Sequence, residues 1–595
     1  MERRSSVLII VILAAIIALT AVVAVIALNP GFQEPGAEGA GVTISGSVIS
    51  DDADPGTIYV LALYPVVLQK IREMETEAEP YLSGHVAAYT TIGAPGPYSI
   101  RVPEHGEYII YAWKDTNGDG RINHEEYLEP TGWHRTDDYL LPASVDVTKG
   151  SSVTDIDLTL IAPTPYPDGE LNVSRGNGGG TLKQIKGYPV LHLRGTDEER
   201  AYAQGYLVGP QIRDWVEYVL VEYYARSPSL YENNLLPFIR NNFSANERYV
   251  PVADEMIRGM QDAGTDMYVD ALERDVTRND ILAMNALYAL VLMRDSISNG
   301  EPGDPGADEP GSVMCSNAVV WGDLTQNDEL AGAVIHGKNM DGENDLRKVT
   351  VNSLLIVATE PEEGMRLVGV DWPGFYGTYN AMNEAGLILA THSSTGADPA
   401  LNATDLLDYS SLYMETLLQC RTIDEAEAYW NSREMTRTGG WNTAISEPLK
   451  TDPDGVPSVT FESDSYGMAV RMPGDIPPTG IPAILTTNNF YLYDPKTGAT
   501  GEVPAPILPT HYRYIAMNDT IARFIRDGRS IGTPEMIEIL QSASNSTSYS
   551  GVTEYSYIGY PDTLSFAVAR EDLEEKILDA SYANFTAFTF EEVFR

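Results

Sequence analysis

Cys315 opens an apolar run, Cys315-Ser316-Asn317-Ala318-Val319-Val320-Trp321-Gly322. A second run, Ala333-Val334-Ile335-His336-Gly337-Lys338-Asn339-Met340-Asp341, follows after a polar turn. Two strand-like runs about such a turn predict a β-hairpin. Upstream, residues 298–312 are rich in Gly, Pro and acidic residues and read as an exposed loop. A loop that ends at a cysteine suits one chemistry. The thiol attacks the peptide carbonyl before it, the C–N bond breaks to leave a thioester, water hydrolyses that thioester, and the released α-amine becomes the freed thiol's own base. Such an amine has an ordinary pKa of about 7.7–8.0. A buried structural cysteine is the alternative for Cys315.

A second set of residues has metal-ligand spacing. Asp115, Asn117, Asp119, Gly120, Arg121, Asn123 and Glu126 match the twelve-residue calcium loop. Three short oxygen side chains converge, Gly120 permits the sharp turn, the Arg121 carbonyl faces inward, Asn123 takes the ninth place, and Glu126 binds with both oxygens. The preceding segment reads as a strand, so the expectation is a structural Ca2+ staple and not a signalling EF-hand. An acidic turn without metal is the alternative. The eight histidines show no zinc spacing, and no cofactor is expected for catalysis.

The remaining chain must position these groups. With 595 residues, several domains are expected. A formal charge of -46 excludes a nucleic-acid partner and fits a solvated extracellular surface. Residues 7–28 carry no charge and follow a basic start, which predicts a transmembrane helix with the bulk of the chain outside the cell membrane. A cleaved signal peptide is the rival. The domain reading is therefore a cytoplasmic stub and anchor at 1–28, a linker at 29–41, a β-sandwich with the calcium loop at 42–162, a Gly/Pro linker at 163–181, and a domain at 182–595. In the last, residues 182–314 read as helical; Thr196 and Glu199 form a capping box and Thr277 opens an apolar helix. After Cys315 come strands, with helices near 406–430 and 533–542. That order predicts a layered α+β domain. Cys420 falls near a helix end and reads as a buried free thiol; a Cys315–Cys420 disulfide is the alternative. Asn172, Asn242, Asn402, Asn518 and Asn545 sit in glycosylation sequons.

The Cys315 run, the following His336-Gly337-Lys338-Asn339-Met340-Asp341, and the later Asp371-Trp372-Pro373-Gly374-Phe375 with Asn383-Glu384-Ala385-Gly386-Leu387 together resemble a known family. It is the autoproteolytic cysteine N-terminal-nucleophile (Ntn) hydrolase family that contains isopenicillin-N acyltransferase, and the resemblance covers about 182–595. It implies a four-layer αββα sandwich and cleavage before Cys315. It also implies amidase or acyltransferase activity through a cysteine thioester. Asp341 resembles the aspartate that orients the α-amine, and Lys338 stands where relatives often have arginine. In Thr486-Thr487-Asn488-Asn489-Phe490, Asn488 resembles the oxyanion-holding asparagine, with Asn489 as the alternative. Arg513 in Tyr512-Arg513-Tyr514 resembles an arginine beside the nucleophile, whose charge would favour thiolate. His392 takes the place of a second oxyanion or substrate group. The implied partner is a small acyl-amide or lipid-like substrate. Two other readings stay open: a phospholipase-B-like ester hydrolase, and an inactive calcium-stabilised adhesion or scaffold protein.

Overall fold

The computed structural model describes residues 41–50, 56–64, 86–102, 106–116, 130–136, 143–147, 151–243, 246–287, 315–342, 347–394, 406–433, 436–437, 440–449, 455–464, 467–494, 499–500, 508–544, 552–571 and 579–595. The transmembrane run 7–28, most of the calcium loop and the loop 298–312 lie outside them. Among the described residues no helix is long and apolar enough to cross a membrane. The chain divides into two compact units, with the break after Ala162.

The first unit contains two sheets. One has the order Gly96–Val102, Val42–Ile49, Leu158–Thr159. The other has the order Val86–Ile92, Thr57–Leu63, Glu107–Asp115, Thr131–Trp133, with Ser144–Asp146 also paired to Glu107–Asp115. Strand alternation places Val42, Ile44 and Ile100 of one sheet and Ile58, Val60 and Ile110 of the other in a single core. Two of these strands, Val86–Ile92 and Thr131–Trp133, were not legible in the sequence. The first is half-exposed and the second spans three residues around Gly132.

The second unit is a mixed α/β structure. Its larger sheet has ten strands, ordered Met468–Arg471, Ser458–Ser463, Gly440–Ser446, Ile388–Ser394, Asn380–Asn383, Leu367–Asp371, Leu355–Pro361, Tyr188–Gly195, Gly178–Ile185, Leu171–Arg175. One pair, Tyr188–Gly195 with Leu355–Pro361, is parallel. The smaller sheet is antiparallel throughout, ordered Ala483–Thr486, Cys315–Val320, Ile335–Gly342, Val552–Tyr560, Ser565–Arg570, Thr586–Thr589.

Alternation along these strands sets the layers. Ala318, Val320, Ile335, Leu485 and Ile558 pack on Met517, Ile521 and Phe524 of the Leu508–Arg526 helix and on Met536, Ile539 and Leu540 of Thr533–Ser544. The opposite face of the same strands meets the ten-stranded sheet: His336 Nδ1 lies 2.7 Å from Ser446 Oγ, and Tyr555 donates to the Val370 carbonyl at 3.3 Å. The far face of the ten-stranded sheet packs Leu389, Ile445 and Phe461 on helices Tyr409–Gln419 and Ile423–Ser432, while Asp197–Asp214 belongs to the neighbouring core with Leu191 and Leu207.

Three readings are corrected. The stretch 163–181 is no simple linker: Leu171–Arg175 is the edge strand of the ten-stranded sheet and pairs antiparallel with the start of Gly178–Ile185. Its glycines are packing devices, since a Cβ at Gly178 would come within 2.3 Å of the Arg194 carbonyl oxygen and one at Gly179 within 2.2 Å of that of Val173. The helical stretch near 406–430 is two helices, because Thr422 caps a new one by accepting from the Glu425 N–H at 3.2 Å. The long Leu508–Arg526 helix was not read from the sequence. The Thr196–Glu199 capping box is present, and both cysteines are free and buried, so no disulfide joins them.

Candidate active site

The hairpin register defines three rows on the inner face of the six-stranded sheet. Cys315, Met340 and Tyr555 form the first, Asn317, Lys338 and Tyr557 the second, and Val319, His336 and Gly559 the third. Cys315 is fully buried, with its Sγ 3.5 Å from Met340 Sδ. Burial pushes its thiol above the ordinary range; Lys338 and Arg513 pull it back, while Asp341 adds to the rise. The Asp341 backbone N–H also favours the thiolate.

Register slips between Met340 and Asp341 opposite the Val552–Tyr560 strand. A bulge of this kind re-aims the following side chain. Asp341 accepts a hydrogen bond from Thr553 Oγ1 at 2.6 Å, and its Oδ2 lies 3.6 Å from Arg513 Nη1. Burial raises its carboxyl to about 6, against the pull of Arg513 and Thr553.

Arg513 enters from the first turns of its helix and is 2% exposed. Its Nη1 donates to the Cys315 carbonyl and, at 2.8 Å, to Ser316 Oγ; its Nη2 donates to Asn488 Oδ1 at 2.7 Å. The same Asn488 oxygen accepts the Cys315 backbone N–H at 3.1 Å. Asn488 therefore meets the nucleophile through its amide oxygen, whereas its Nδ2 donates to the Ser393 carbonyl at 2.6 Å. This differs from the expected oxyanion-donor role, and the reason is the Ser393 carbonyl, which takes the donor. Asn488 here holds the Cys315 nitrogen and Arg513. The cations left beside the thiol are Lys338 and Arg513.

Lys338 is fully buried, donates to the Thr391 carbonyl of the facing sheet, and also hydrogen-bonds Cys315. Burial lowers its pKa, and Cys315 and Asp341 oppose that. His392 lies across from Lys338 on the ten-stranded sheet, with Nδ1 3.2 Å from the Asn442 carbonyl. Burial, then Lys338, push its pKa well below the ordinary value. Asn489 contributes its carbonyl to Asn442 Nδ2 at 2.7 Å, and the Thr487 carbonyl accepts from the same group at 2.8 Å. Asn442 thereby fixes the loop that carries Asn488. Asn442, Thr553, Ser316 and Met340 were not singled out in the sequence; their roles depend on strand register, which a single chain does not display.

Asp115 is buried at the end of the Glu107–Asp115 strand. Asn117, Asp119, Arg121, Asn123 and Glu126 lie outside the described residues. Among the described residues no cluster of three or more His, Cys, Asp or Glu is placed to hold a metal.

No family model matches the chain. A protein of Archaeoglobus fulgidus, described only as uncharacterized, is 29% identical over 208 residues, which is 34% of this chain and 32% of that protein. The chain thus spans about a third of the length of this relative. Among solved structures, a Caenorhabditis elegans N-acylethanolamine-hydrolyzing acid amidase ortholog is similar at 14% identity and a TM-score of 0.30, covering 44% of this chain and 97% of that one. A variant of the conjugated bile acid hydrolase of Clostridium perfringens has 14% identity and a TM-score of 0.29, covering 46% and 96%. Penicillin V acylase of Agrobacterium tumefaciens has 12% identity and a TM-score of 0.26, covering 46% and 90%.

Proposed function

We propose that this chain is a self-cleaving cysteine hydrolase or acyltransferase of the Ntn type, acting on amides of small acyl groups. The observation that carries the reading is the arrangement at the start of the Cys315 strand. One asparagine oxygen accepts both the Cys315 N–H and an Arg513 N–H, and Arg513 in turn reaches the Cys315 carbonyl and Asp341. A nitrogen held so closely is of little use inside a peptide and of much use as a free amine. The stacking of two sheets between helices supports the αββα reading.

In the proposed reaction the Cys315 thiol gives its proton to its own α-amine and attacks the substrate carbonyl carbon. Lys338 and Arg513 offset the charge that develops on oxygen. The C–N bond breaks, the amine leaves with that proton, and an acyl thioester stays on Cys315. Water or a second amine then attacks the thioester and regenerates the thiol. Asp341 keeps the α-amine oriented.

N-terminal sequencing of the fragments tests this reading. Wild type should yield a polypeptide that begins with Cys315, whereas a single intact chain that hydrolyses amides equally well as Cys315→Ala would end it. The membrane anchor at 7–28, an extracellular location and the Ca2+ staple at 115–126 belong to the same proposal. Each has its own test: membrane partition of the whole chain, and the melting temperature with calcium and with chelator for Asp115→Ala/Glu126→Ala.

A further inference from the structure

The second row of the inner face, one step along the strand from Cys315, is polar where a core would be apolar. Asn317, Lys338 and Tyr557 lie side by side on the six-stranded sheet. Lys338 reaches across to the Thr391 carbonyl, which brings this row to the part of the facing sheet that carries His392. There His392 pairs directly with Asn442, and Asn380 pairs with Ala390 two residues away. All six are buried, five of them completely.

Among the described residues, Asn317 Oδ1, Asn380 Oδ1 and Nδ2, His392 Nε2, Asn442 Oδ1 and the Tyr557 hydroxyl have no hydrogen-bond partner. Buried polar atoms are nearly always satisfied, so six orphans on the facing surfaces of the two sheets, taken as the walls of one gap, point to a ligand that satisfies them. Their chemistry is specific. His392 spends its one N–H on the Asn442 carbonyl, which leaves Nε2 as an acceptor. Asn442 spends its amide nitrogen on Thr487 and Asn489, and Asn317 donates to His336, so both retain only acceptor oxygens. Four of the six orphans thus accept, one donates, and the tyrosine hydroxyl does either.

We propose that this gap is the acyl pocket and that it takes a short, uncharged acyl chain ending in N–H or O–H donors, such as a carboxamide or a hydroxyl. The proposal rests on Cys315 being the nucleophile and names the substrate class of that same site. Two residues of extended strand separate the thiol row from the polar row, roughly 7 Å. That is the reach of an acyl chain of about four carbons. A cationic end would meet the Lys338 ammonium, and a carboxylate would meet four acceptors. A long hydrocarbon would leave every orphan unpaired.

The test uses two chromogenic anilides on the full chain, after confirming by N-terminal sequencing that it is cut before Cys315. One carries a 4-amino-4-oxobutanoyl group and the other its apolar isostere, 4-methylpentanoyl. The expected result is a kcat/KM ratio of about 100 or more in favour of the amide-ended chain, because a site built to hydrogen-bond rejects the analogue that cannot. Asn380→Leu should lower that ratio at least tenfold. Tyr557→Phe, which keeps the ring and removes one hydroxyl, gives the same comparison where Asn380→Leu does not fold. Equal rates, a preference for 4-methylpentanoyl, no hydrolysis of either by cut protein, or an unaltered ratio in the variants would overturn the acyl-pocket assignment and leave the nucleophile standing. Hydrolysis with no fragment beginning at Cys315, undiminished in Cys315→Ala, would overturn both.

Discussion

The hairpin that begins at Cys315 has two faces, equally buried and opposite in chemistry. Its outer face presents Ala318, Val320 and Ile335 to two helices and forms an apolar core. Its inner face presents Cys315, Asn317, Lys338 and His336 to a second sheet, each fully buried. Leaving a buried polar group unpaired costs about 1–3 kcal/mol, so the inner face is the poorer one for stability. One strand pair serves both ends. The outer face holds the fold, and that hold allows the inner face to keep groups that a core would reject.

The sharpest way to break this contrast is Cys315→Ala. Amide hydrolysis should fall to background, at least about 10⁴-fold, with one full-length band on denaturing electrophoresis and a melting temperature close to wild type. The mirror experiment is Phe524→Ala on the outer side. Phe524 is fully buried in the helix layer, and its truncation should destabilise by about 3–5 kcal/mol in denaturant titration. The ratio of rates on the paired anilides should not move; if it does, the two faces are not independent.

A third expectation concerns pH. Burial raises Asp341 to about 6, and the proposed orienting role needs its ionised form. Protonation of Asp341 should therefore add a further fall in kcat/KM of roughly tenfold per pH unit below about 6 to the fall set by the α-amine, and Asp341→Asn should lack that added steepening. The stability term has the reverse sign. A carboxyl whose folded pKa lies above its unfolded value of 3.8 favours folding at low pH, and that contribution is lost as pH rises through about 6. For this one group, activity and stability are expected to move in opposite directions. The smallest effect is expected at the other thiol. Cys420 is buried among Leu417, Ile423 and other residues under the helices of the larger sheet. Cys420→Ala should cost about 1 kcal/mol and leave hydrolysis unchanged.

The sequence carried the hairpin well, because alternation on both sides of a polar turn is a local signal. Cys315 and Asp341 followed from it. Arg513 was found through its neighbours Tyr512 and Tyr514, but its helix was missed, since its first turns read as a motif and not as a periodic face. Of the polar row and the residues facing it, only Lys338 and His392 were named, through the resemblance; the row itself was not legible. Asn317, Asn380, His392 and Asn442 lie far apart in the chain, and only the pairing register brings them together. Gly178, Gly179 and Gly180 misled for a related reason. Composition reads three glycines as a hinge, whereas here they permit close strand packing.

The strands that precede Cys315 have a consequence for what a cut would produce. Leu171–Arg175, Gly178–Ile185 and Tyr188–Gly195 supply three of the ten strands, and the last is zipped in parallel to Leu355–Pro361. Tyr188 donates to the Val568 carbonyl at 3.1 Å, and Lys186 holds Glu592 at 2.8 Å near the C-terminus. Neither product of cleavage owns the whole ten-stranded sheet. The two polypeptides would be partners from birth, born already assembled across that shared sheet. A gel-filtration column would see one particle before and after the cut, and only denaturant would count two.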